Sequence, residues 1–300
     1  MHITLEAAGY NAVINDIGAN LSSLTSPAGH ALILPAPPEK IRMDSRGALL
    51  APWANRIENG LYTWAGTEYQ LPINEVDKNN AIHGLVDWAR WSFRKVRRDH
   101  DVASVTADYA LVPQSGYPFA LDFSVTYTLD ERGLTTDFAV INQSKEEVPY
   151  GVGAHPYLVA GSFGEEEGAV DKWSLTAPVS TYLEVNDRMI PLAHKPVSVG
   201  LDLAKTLPLQ GVHLDHAFGG LIRNAEGEST VTLTCESGDS TSLTVGESIK
   251  WLQFYTDGKS RRGVAVEPMT APANAFNNGV DLLVLAPGEL HSCWWRISGV

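Results

Sequence analysis

Cysteine is scarce in this chain. Cys235 and Cys293 are the only two cysteines among 300 residues, and they lie far apart in the sequence. Two distant cysteines cannot build the disulfide framework of a small secreted domain, and their spacing is not that of zinc ligands. We therefore expect two free, reduced thiols.

Basic residues and long apolar runs are scarce as well. The chain carries 22 lysines and arginines against 35 acidic residues, a formal net charge of −13. This balance argues against nucleic acid or an anionic membrane as a partner, because both select for basic surfaces. No apolar run has the length of a bilayer-spanning helix, and residues 1–6 lack the basic and apolar regions of a signal peptide. We expect a cytoplasmic protein, and the sequence leaves its oligomeric state open.

Few windows have the periodicity of an amphipathic helix. Short alternating or apolar segments recur instead between turns rich in Gly, Pro, Asn and Ser, which predicts an all-β protein built as a large antiparallel sandwich or barrel. The chain has no fixed-period repeat and no clear linker, so we expect one domain over residues 1–300, with an exposed loop at 161–168. The predicted strands are residues 2–6, 10–14, 31–34, a hairpin over 61–71, 88–96, 103–111, 123–129, 134–141, 174–177, 231–234, 242–245, 251–256, 264–267, 282–285 and 291–297.

Two titratable side chains each stand directly before a proline. Pro156 and Pro268 disfavour helical backbone at His155 and Glu267, so each side chain should project from extended chain at a defined angle. Taken alone, His155 is more consistent with a buried structural histidine beside a turn than with a catalytic one. Glu267 ends the apolar strand that starts at Gly263, and a carboxylate there is costly unless it is paired or used.

Further polar residues lie in loops or beside apolar residues. Asn55 and Arg56 precede the predicted hairpin, where binding groups often sit, although a surface ion pair between Arg56 and Glu58 is the better explanation of the arginine taken alone. His83 lies in an asparagine-rich turn that does not account for it.

Two more candidates occur in the second half. Asp215 is either a binding carboxylate or a turn former. Gln253 lies in an apolar strand and must find hydrogen-bond partners, which a sugar could supply.

Three chemistries can be assembled from these groups. A metal site of His83, His155 and Glu267 is disfavoured because no His-x-His or His-x-x-x-His pair supports it. Nucleophilic catalysis lacks the Gly-x-Ser-x-Gly signature. General acid–base catalysis needs only a positioned imidazole and carboxylate, and His155 and Glu267 provide both.

The motifs together resemble the aldose 1-epimerase, or galactose mutarotase, family. Tyr157-Leu158 after the His-Pro pair indicates the bacterial type. The motifs occur in the family's order and approximate spacing across most of the chain: Asn55-Arg56-Ile57 with Gly60, His83-Gly84, His155-Pro156-Tyr157, Asp215 with Phe218, Gln253-Phe254-Tyr255-Thr256 and Glu267-Pro268.

This resemblance implies a fold, a reaction and a set of roles. The fold would be a large antiparallel β supersandwich, and the activity would interconvert the α and β anomers of a free aldohexose without metal or other cofactor. His155 would be the general acid and Glu267 the general base, and we expect nearby carboxylates to favour the protonated imidazole. The sugar would be contacted by Asn55, Arg56, His83, Tyr157, Asp215 and Gln253.

Two alternatives stay open on the same fold. One is a hexose-6-phosphate 1-epimerase, for which Arg90, Arg94 and Arg188 could line one rim of the pocket. The other is a carbohydrate-binding protein without turnover, against which the retention of both His155 and Glu267 weighs.

Overall fold

The computed structural model describes residues 1–161, 166–198, 200–256, 258 and 260–299. Strands dominate these residues, and the helices with described bounds are the 3-10 helix Ala169–Lys172 and the short helix α1, Ala275–Asn278. The all-β prediction is therefore confirmed. The predicted loop at 161–168 lies partly outside the described residues.

The strands are numbered in chain order. The first half contains β1 His2–Ala7, β2 Tyr10–Asn15, β3 Leu21–Thr25, β4 Leu49–Leu50, β5 Arg56–Glu58, β6 Leu61–Trp64, β7 Thr67–Gln70, β8 Asn80–Ile82, β9 Ser92–Arg98, β10 Ala103–Leu111, β11 Leu121–Asp130, β12 Gly133–Asn142 and β13 Val148–Tyr150. The second half contains β14 Gly153–Ala154, β15 Tyr157–Leu158, β16 Trp173–Thr176, β17 Thr181–Val185, β18 Pro191–Pro196, β19 Leu207–Pro208, β20 Asp215–Gly219, β21 Ser229–Cys235, β22 Ser240–Val245, β23 Trp251–Thr256, β24 Val264–Met269, β25 Leu283–Leu285 and β26 Leu290–Gly299.

A nine-stranded antiparallel sheet contains the longest strands. Its order is β19-β16-β21-β22-β26-β12-β11-β10-β9. Strand β11 alternates buried with less buried residues, as expected of a sheet with one face on the core. Its tight connection to β12 pairs Asp130 with Gly133, and Gly133 has a φ of 106°, a left-handed conformation that glycine adopts without steric cost.

A second large sheet of eight strands carries four of the eight candidate site residues: Tyr157, Asp215, Gln253 and Glu267. His155 lies in the connection between two of its strands. Its order is β18-β17-β20-β23-β24-β14-β4, and β15 also pairs with β24. Strand β24 is buried at every position, as expected of a central strand covered on both faces. Smaller sheets are formed by β1-β2-β3, β13-β25, β5-β8 and β6-β7.

The strand predictions succeeded where alternation was long and failed where pairing was short. The hairpin at residues 61–71 is confirmed as β6 and β7, with Ala65 and Gly66 in its turn. Residues 31–34 were wrongly predicted as a strand, since they form only isolated bridges, Thr25 to Ala31 and Ile33 to Leu158. Both cysteines are buried and free, as expected. Within the described residues, no helix is long and apolar enough to cross a membrane.

Candidate active site

A polar cavity of about 380 Å³ brings all eight predicted site residues together. It lies on one face of the eight-stranded sheet, beneath loops from the first third of the chain. It is lined by Asp44, Ser45, Asn55, Arg56, Glu75, Lys78, Ile82, His83, His155, Tyr157, Asp215, Gln253, Tyr255 and Glu267.

The register of the paired strands determines which side chains form the floor of this cavity. Gln253 on β23 pairs directly with Glu267 on β24, so both side chains project from the same face of the sheet. Tyr255 lies two residues further along β23, on the same face, and pairs with Asp215 on β20. Gln253 Nε2 donates a 2.6 Å hydrogen bond to Asp215 Oδ1. Antiparallel pairing therefore assembles residues from three strands that are distant in sequence.

His155 lies between two very short strands. Its N–H donates to the Ala48 carbonyl at 2.9 Å, and its own carbonyl accepts from Gly47 N–H at 2.9 Å. These bonds hold the extended backbone that Pro156 favours. The imidazole stacks on Tyr157 with ring centroids 5.0 Å apart and planes inclined by 19°. The backbone and the stacked ring together define the direction of the imidazole.

The cavity roof contains a cluster of strained backbone. Asn55 and His83 have φ angles of 58° and 67°, and two more lining residues, Asp44 and Ser45, have φ angles of 53° and 52°. Non-glycine residues rarely adopt this conformation, and it costs of order 1 kcal/mol or more at each position. Gly84, which follows His83, also has positive φ, and a side chain at this position would overlap the Ala51 backbone. Such strain is typical of functional sites.

Arg56 is paired differently from the sequence-based alternative. Its guanidinium donates from Nη2 to Glu75 Oε1 at 2.8 Å and from Nε to Glu75 Oε2 at 2.9 Å, whereas Glu58 pairs with Arg188. Burial alone would raise the pKa of Glu75, but hydrogen bonds from Arg56 and Asn80 outweigh burial and lower it. The result is a rigid, bidentate ion pair at the cavity wall.

The two proposed catalytic groups are in contact. His155 Nε2 lies 3.3 Å from Glu267 Oε1, and the two residues are only 6% and 2% exposed. Glu267 Oε2 and the Nδ1 atoms of His155 and His83 make no hydrogen bond within the described residues. Buried polar atoms are normally satisfied, so these atoms indicate a site built for a polar ligand.

Burial controls the protonation of this pair. It raises the pKa of Glu267 well above its ordinary value, and the negative charge of Asp215 raises it further. Burial lowers the pKa of His155 to about 3, an effect strengthened by the charges of Arg42 and Arg56. The expectation that carboxylates would favour the imidazolium is therefore wrong for the free protein, because a protonated Glu267 carries no charge to attract the proton.

The three arginines suggested for a rim do not line the cavity. Arg90 pairs with Asp16 and Arg94 with Asp108, away from the site. Arg188 instead ties together the loops behind it, donating to the Lys78 carbonyl at 2.9 Å.

Sequence reasoning missed six lining residues. Tyr255 could have been found, because it lies two positions after Gln253 in the same strand. The other five carry no comparable signal, since they belong to irregular loops or the end of a short strand: Asp44, Ser45, Glu75, Lys78 and Ile82.

The structure also revises the argument about metal. One ligand atom from each of His83, His155 and Glu267 lies within 4.8 Å of the others. The absence of a short His-x-His spacing therefore did not preclude a possible ligand set, because three separate elements contribute to it.

A buried imidazole and a buried carboxylate in contact on the floor of a polar cavity are the groups that general acid–base catalysis needs. The chain belongs to the aldose 1-epimerase family, whose profile matches residues 1–298. It is 36% identical over 300 residues to the uncharacterized protein YihR of Escherichia coli K12, covering 99% of this chain and 92% of that protein. It is 26% identical over 280 residues to human galactose mutarotase, covering 84% and 78% of the two chains.

Solved structures share the fold. A galactose mutarotase-like protein from Clostridium acetobutylicum superposes with a TM-score of 0.87 at 21% identity, covering 100% of this chain and 95% of that one. Galactose 1-epimerase from Lactobacillus acidophilus superposes with a TM-score of 0.81 at 22% identity, covering 100% and 94%. The predicted family and fold are thus confirmed.

Proposed function

We propose that this enzyme interconverts the α and β anomers of a free aldohexose of the glucose or galactose type. The observation that carries the proposal is the contact between His155 Nε2 and Glu267 Oε1 at 3.3 Å on the floor of a polar cavity. A base and an acid this close can act on two neighbouring oxygens of one sugar, the anomeric hydroxyl oxygen and the ring oxygen. The names of galactose mutarotase relatives support the same substrate class.

The proposed reaction opens and closes the pyranose ring. Glu267 removes the proton from the anomeric hydroxyl while His155 delivers a proton to the ring oxygen, and the bond between that oxygen and the anomeric carbon breaks. Rotation of the open-chain aldehyde about its first carbon–carbon bond, followed by the reverse transfers, yields the other anomer. Neither reacting oxygen carries a full charge, because both protons move in concert with the bond.

The pair can reach its active protonation state internally. In the free protein, burial raises the pKa of Glu267 and lowers that of His155, so it favours the proton on the carboxyl over the proton on the imidazole. Transfer of that proton across the 3.3 Å contact gives an ionised base and a protonated acid without exchange with solvent. Hydroxyl groups of the sugar would stabilise the charged form by hydrogen bonding to Glu267 Oε2.

The surrounding residues suit a polyhydroxylated ligand. Asp215 and Gln253 present an acceptor and a mixed donor–acceptor group side by side, and Arg56 presents donors in the same cavity. His83 and Asn55 would hold the hydroxyls near the reacting end. Tyr157 would contribute an apolar face beside His155.

The ion pairs in the cavity favour an uncharged sugar over a hexose 6-phosphate. Both cationic residues of the lining, Arg56 and Lys78, already contact Glu75, at 2.8 Å and 3.5 Å. A phosphate would have to compete with this carboxylate for them. A binding protein without turnover is disfavoured because binding alone does not require the buried Glu267, whose ionisation is costly.

Relaxation of optical rotation tests the proposed activity. Freshly dissolved α-D-glucose and α-D-galactose should reach equilibrium faster with the protein than without it, and α-D-glucose 6-phosphate should respond less. The Glu267→Gln protein is the matched control for non-specific acceleration. Equal relaxation with both proteins, for every sugar, would rule out the proposed function.

Glu75 should affect substrate binding by positioning Arg56, and it should take no part in the proton transfers. Glu75→Gln breaks the charge-assisted pair, worth roughly 1.5–3 kcal/mol, so we expect kcat/KM to fall by about 10-fold or more, mainly through a higher KM. The control is Glu184→Gln, which removes a surface pair with Lys195 that lies outside the cavity. A kcat-only loss in Glu75→Gln would show that Arg56 is not positioned for substrate binding.

A further inference from the structure

Three potential metal ligands converge at one point of the cavity. His83, His155 and Glu267 come from the β8 end, the β14–β15 connection and β24, and one ligand atom of each lies within 4.8 Å of the others. Within the part of the chain that the structure describes, this is the one such cluster of His, Cys, Asp or Glu. Two imidazoles and one carboxylate are a ligand set that Zn²⁺ accepts.

The distances suit a small tetrahedral ion. Zinc–nitrogen and zinc–oxygen bonds of about 2.0–2.2 Å place neighbouring ligand atoms about 3.3–3.6 Å apart in a tetrahedron. His155 Nε2 and Glu267 Oε1 are already separated by 3.3 Å. The His83 ring stands beside the His155 ring, with centroids 5.3 Å apart and planes at 84°. One ligand atom of His83 lies within 4.8 Å of one from each of the other two residues, so the His83 ring must move closer to reach the tetrahedral spacing.

The polar atoms around this point are not otherwise committed. The Nδ1 atoms of both histidines and Oε2 of Glu267 are buried and make no hydrogen bond within the described residues. No hydrogen bond at Nδ1 holds the His83 ring, so it can turn toward an ion while His155 stays stacked on Tyr157. Such unpartnered buried atoms need a ligand, a water or an ion to satisfy them.

We propose that His83, His155 and Glu267 bind a divalent cation of the Zn²⁺ type, and that this ion inhibits the enzyme by occupying the place of the reacting sugar atoms. The ion would bind the lone pairs of the His155 nitrogen and the Glu267 oxygen. These atoms could then no longer accept or deliver the protons that the reaction requires. Hard cations such as Mg²⁺ would bind poorly, because they require more oxygen ligands than this site offers. Inhibition rests on the proposed function, whereas binding of the ion does not.

Calorimetric titration of chelator-treated, dialysed protein tests the binding. We expect one Zn²⁺ per chain and no detectable binding of Mg²⁺. His83→Asn should weaken Zn²⁺ binding more than about 100-fold, beyond what loss of an outer-shell partner costs. The matched control is His100→Asn, which alters an exposed histidine beside Asp101 and should bind like the unaltered protein. Thermal melts of each variant check that it is folded.

Competition with sugar distinguishes the two hypotheses. Zn²⁺ should inhibit mutarotation competitively, saturating sugar should weaken its measured affinity, and EDTA should leave activity at or above its starting level. Zn²⁺ binding that is absent, or that His83→Asn does not weaken, would overturn the proposed metal site. That result would not affect the proposal of mutarotase activity. His83-dependent binding in a protein without mutarotase activity would overturn the proposed function alone. A loss of activity in EDTA that Zn²⁺ restores would overturn the inhibitory role.

Discussion

Glu267→Gln is expected to lose turnover by roughly 10²–10⁴-fold, the contribution typical of a positioned general base. Glutamine has nearly the same shape but cannot accept the proton of the anomeric hydroxyl. The pocket and its contacts to Asp215 and Gln253 should persist, so KM should change far less than kcat. Polarimetric kinetics at several sugar concentrations measure both quantities.

The same substitution should stabilise the protein. The pKa of Glu267 is raised in the folded state, so folding holds a proton that the unfolded chain releases above its ordinary pKa of 4.5. The free energy of unfolding of the unaltered protein is therefore reduced progressively as pH rises above that value. The glutamine of the variant does not titrate, so its melting temperature should exceed that of the unaltered protein by a margin that grows as pH rises above 4.5.

A control variant separates the catalytic role of Glu267 from the effect that a raised carboxyl pKa has on stability. Asp137 on the nine-stranded sheet also has a pKa raised by desolvation, although the residue is exposed, and it lies outside the cavity. Asp137→Asn should shift stability in the same direction and leave turnover unchanged. A Glu267→Gln protein with unaltered turnover would show that the carboxylate has no part in the proposed reaction. A difference in melting temperature that stays the same between pH 5 and pH 8 would show that burial of Glu267 carries no cost.

His155→Asn is expected to change the pH profile as well as the rate. In the unaltered protein the productive state has one proton shared by Glu267 and His155, so the titrations belong to the pair. A second proton enters only at low pH, because burial lowers the pKa of His155 to about 3. The shared proton is held by Glu267, whose pKa burial raises. We expect kcat/KM to be flat through pH 6.5, where a free histidine would titrate, and to fall at alkaline pH.

Without the imidazole, the alkaline fall should disappear. Glu267 alone must ionise before it can act as a base, so the residual activity of His155→Asn should rise with pH where that of the unaltered protein declines. The rate should also drop by roughly 10²–10⁴-fold for loss of the general acid. Measurements of kcat/KM in EDTA across the pH range exclude any contribution from bound metal.

The control for this profile is His291→Asn. His291 is a second histidine whose pKa burial lowers, and it lies on β26 outside the cavity. Its substitution should preserve both the flat region and the alkaline limb. An alkaline limb that survives unchanged in His155→Asn would assign that limb to another group and leave His155 without its proposed role.

The fold class and most of the site followed from local sequence signals. Alternation over long segments such as residues 103–111 predicted strands because a half-buried strand repeats every two residues. A proline after His155 and after Glu267 indicated extended backbone for the same local reason. Six ordered motifs indicated the family, and the family profile confirmed it.

Tertiary structure alone decided how the site residues interact. Arg56 pairs with Glu75 rather than Glu58 because the loop after β7 folds back onto β5, a path with no signal in the chain. His83 reaches His155 and Glu267 through a left-handed turn beside Gly84, so a potential metal triad forms without any short histidine spacing. Burial reverses the expected protonation of the acid–base pair, because solvent exclusion depends on how the sheet and loops close around it and outweighs the charges nearby.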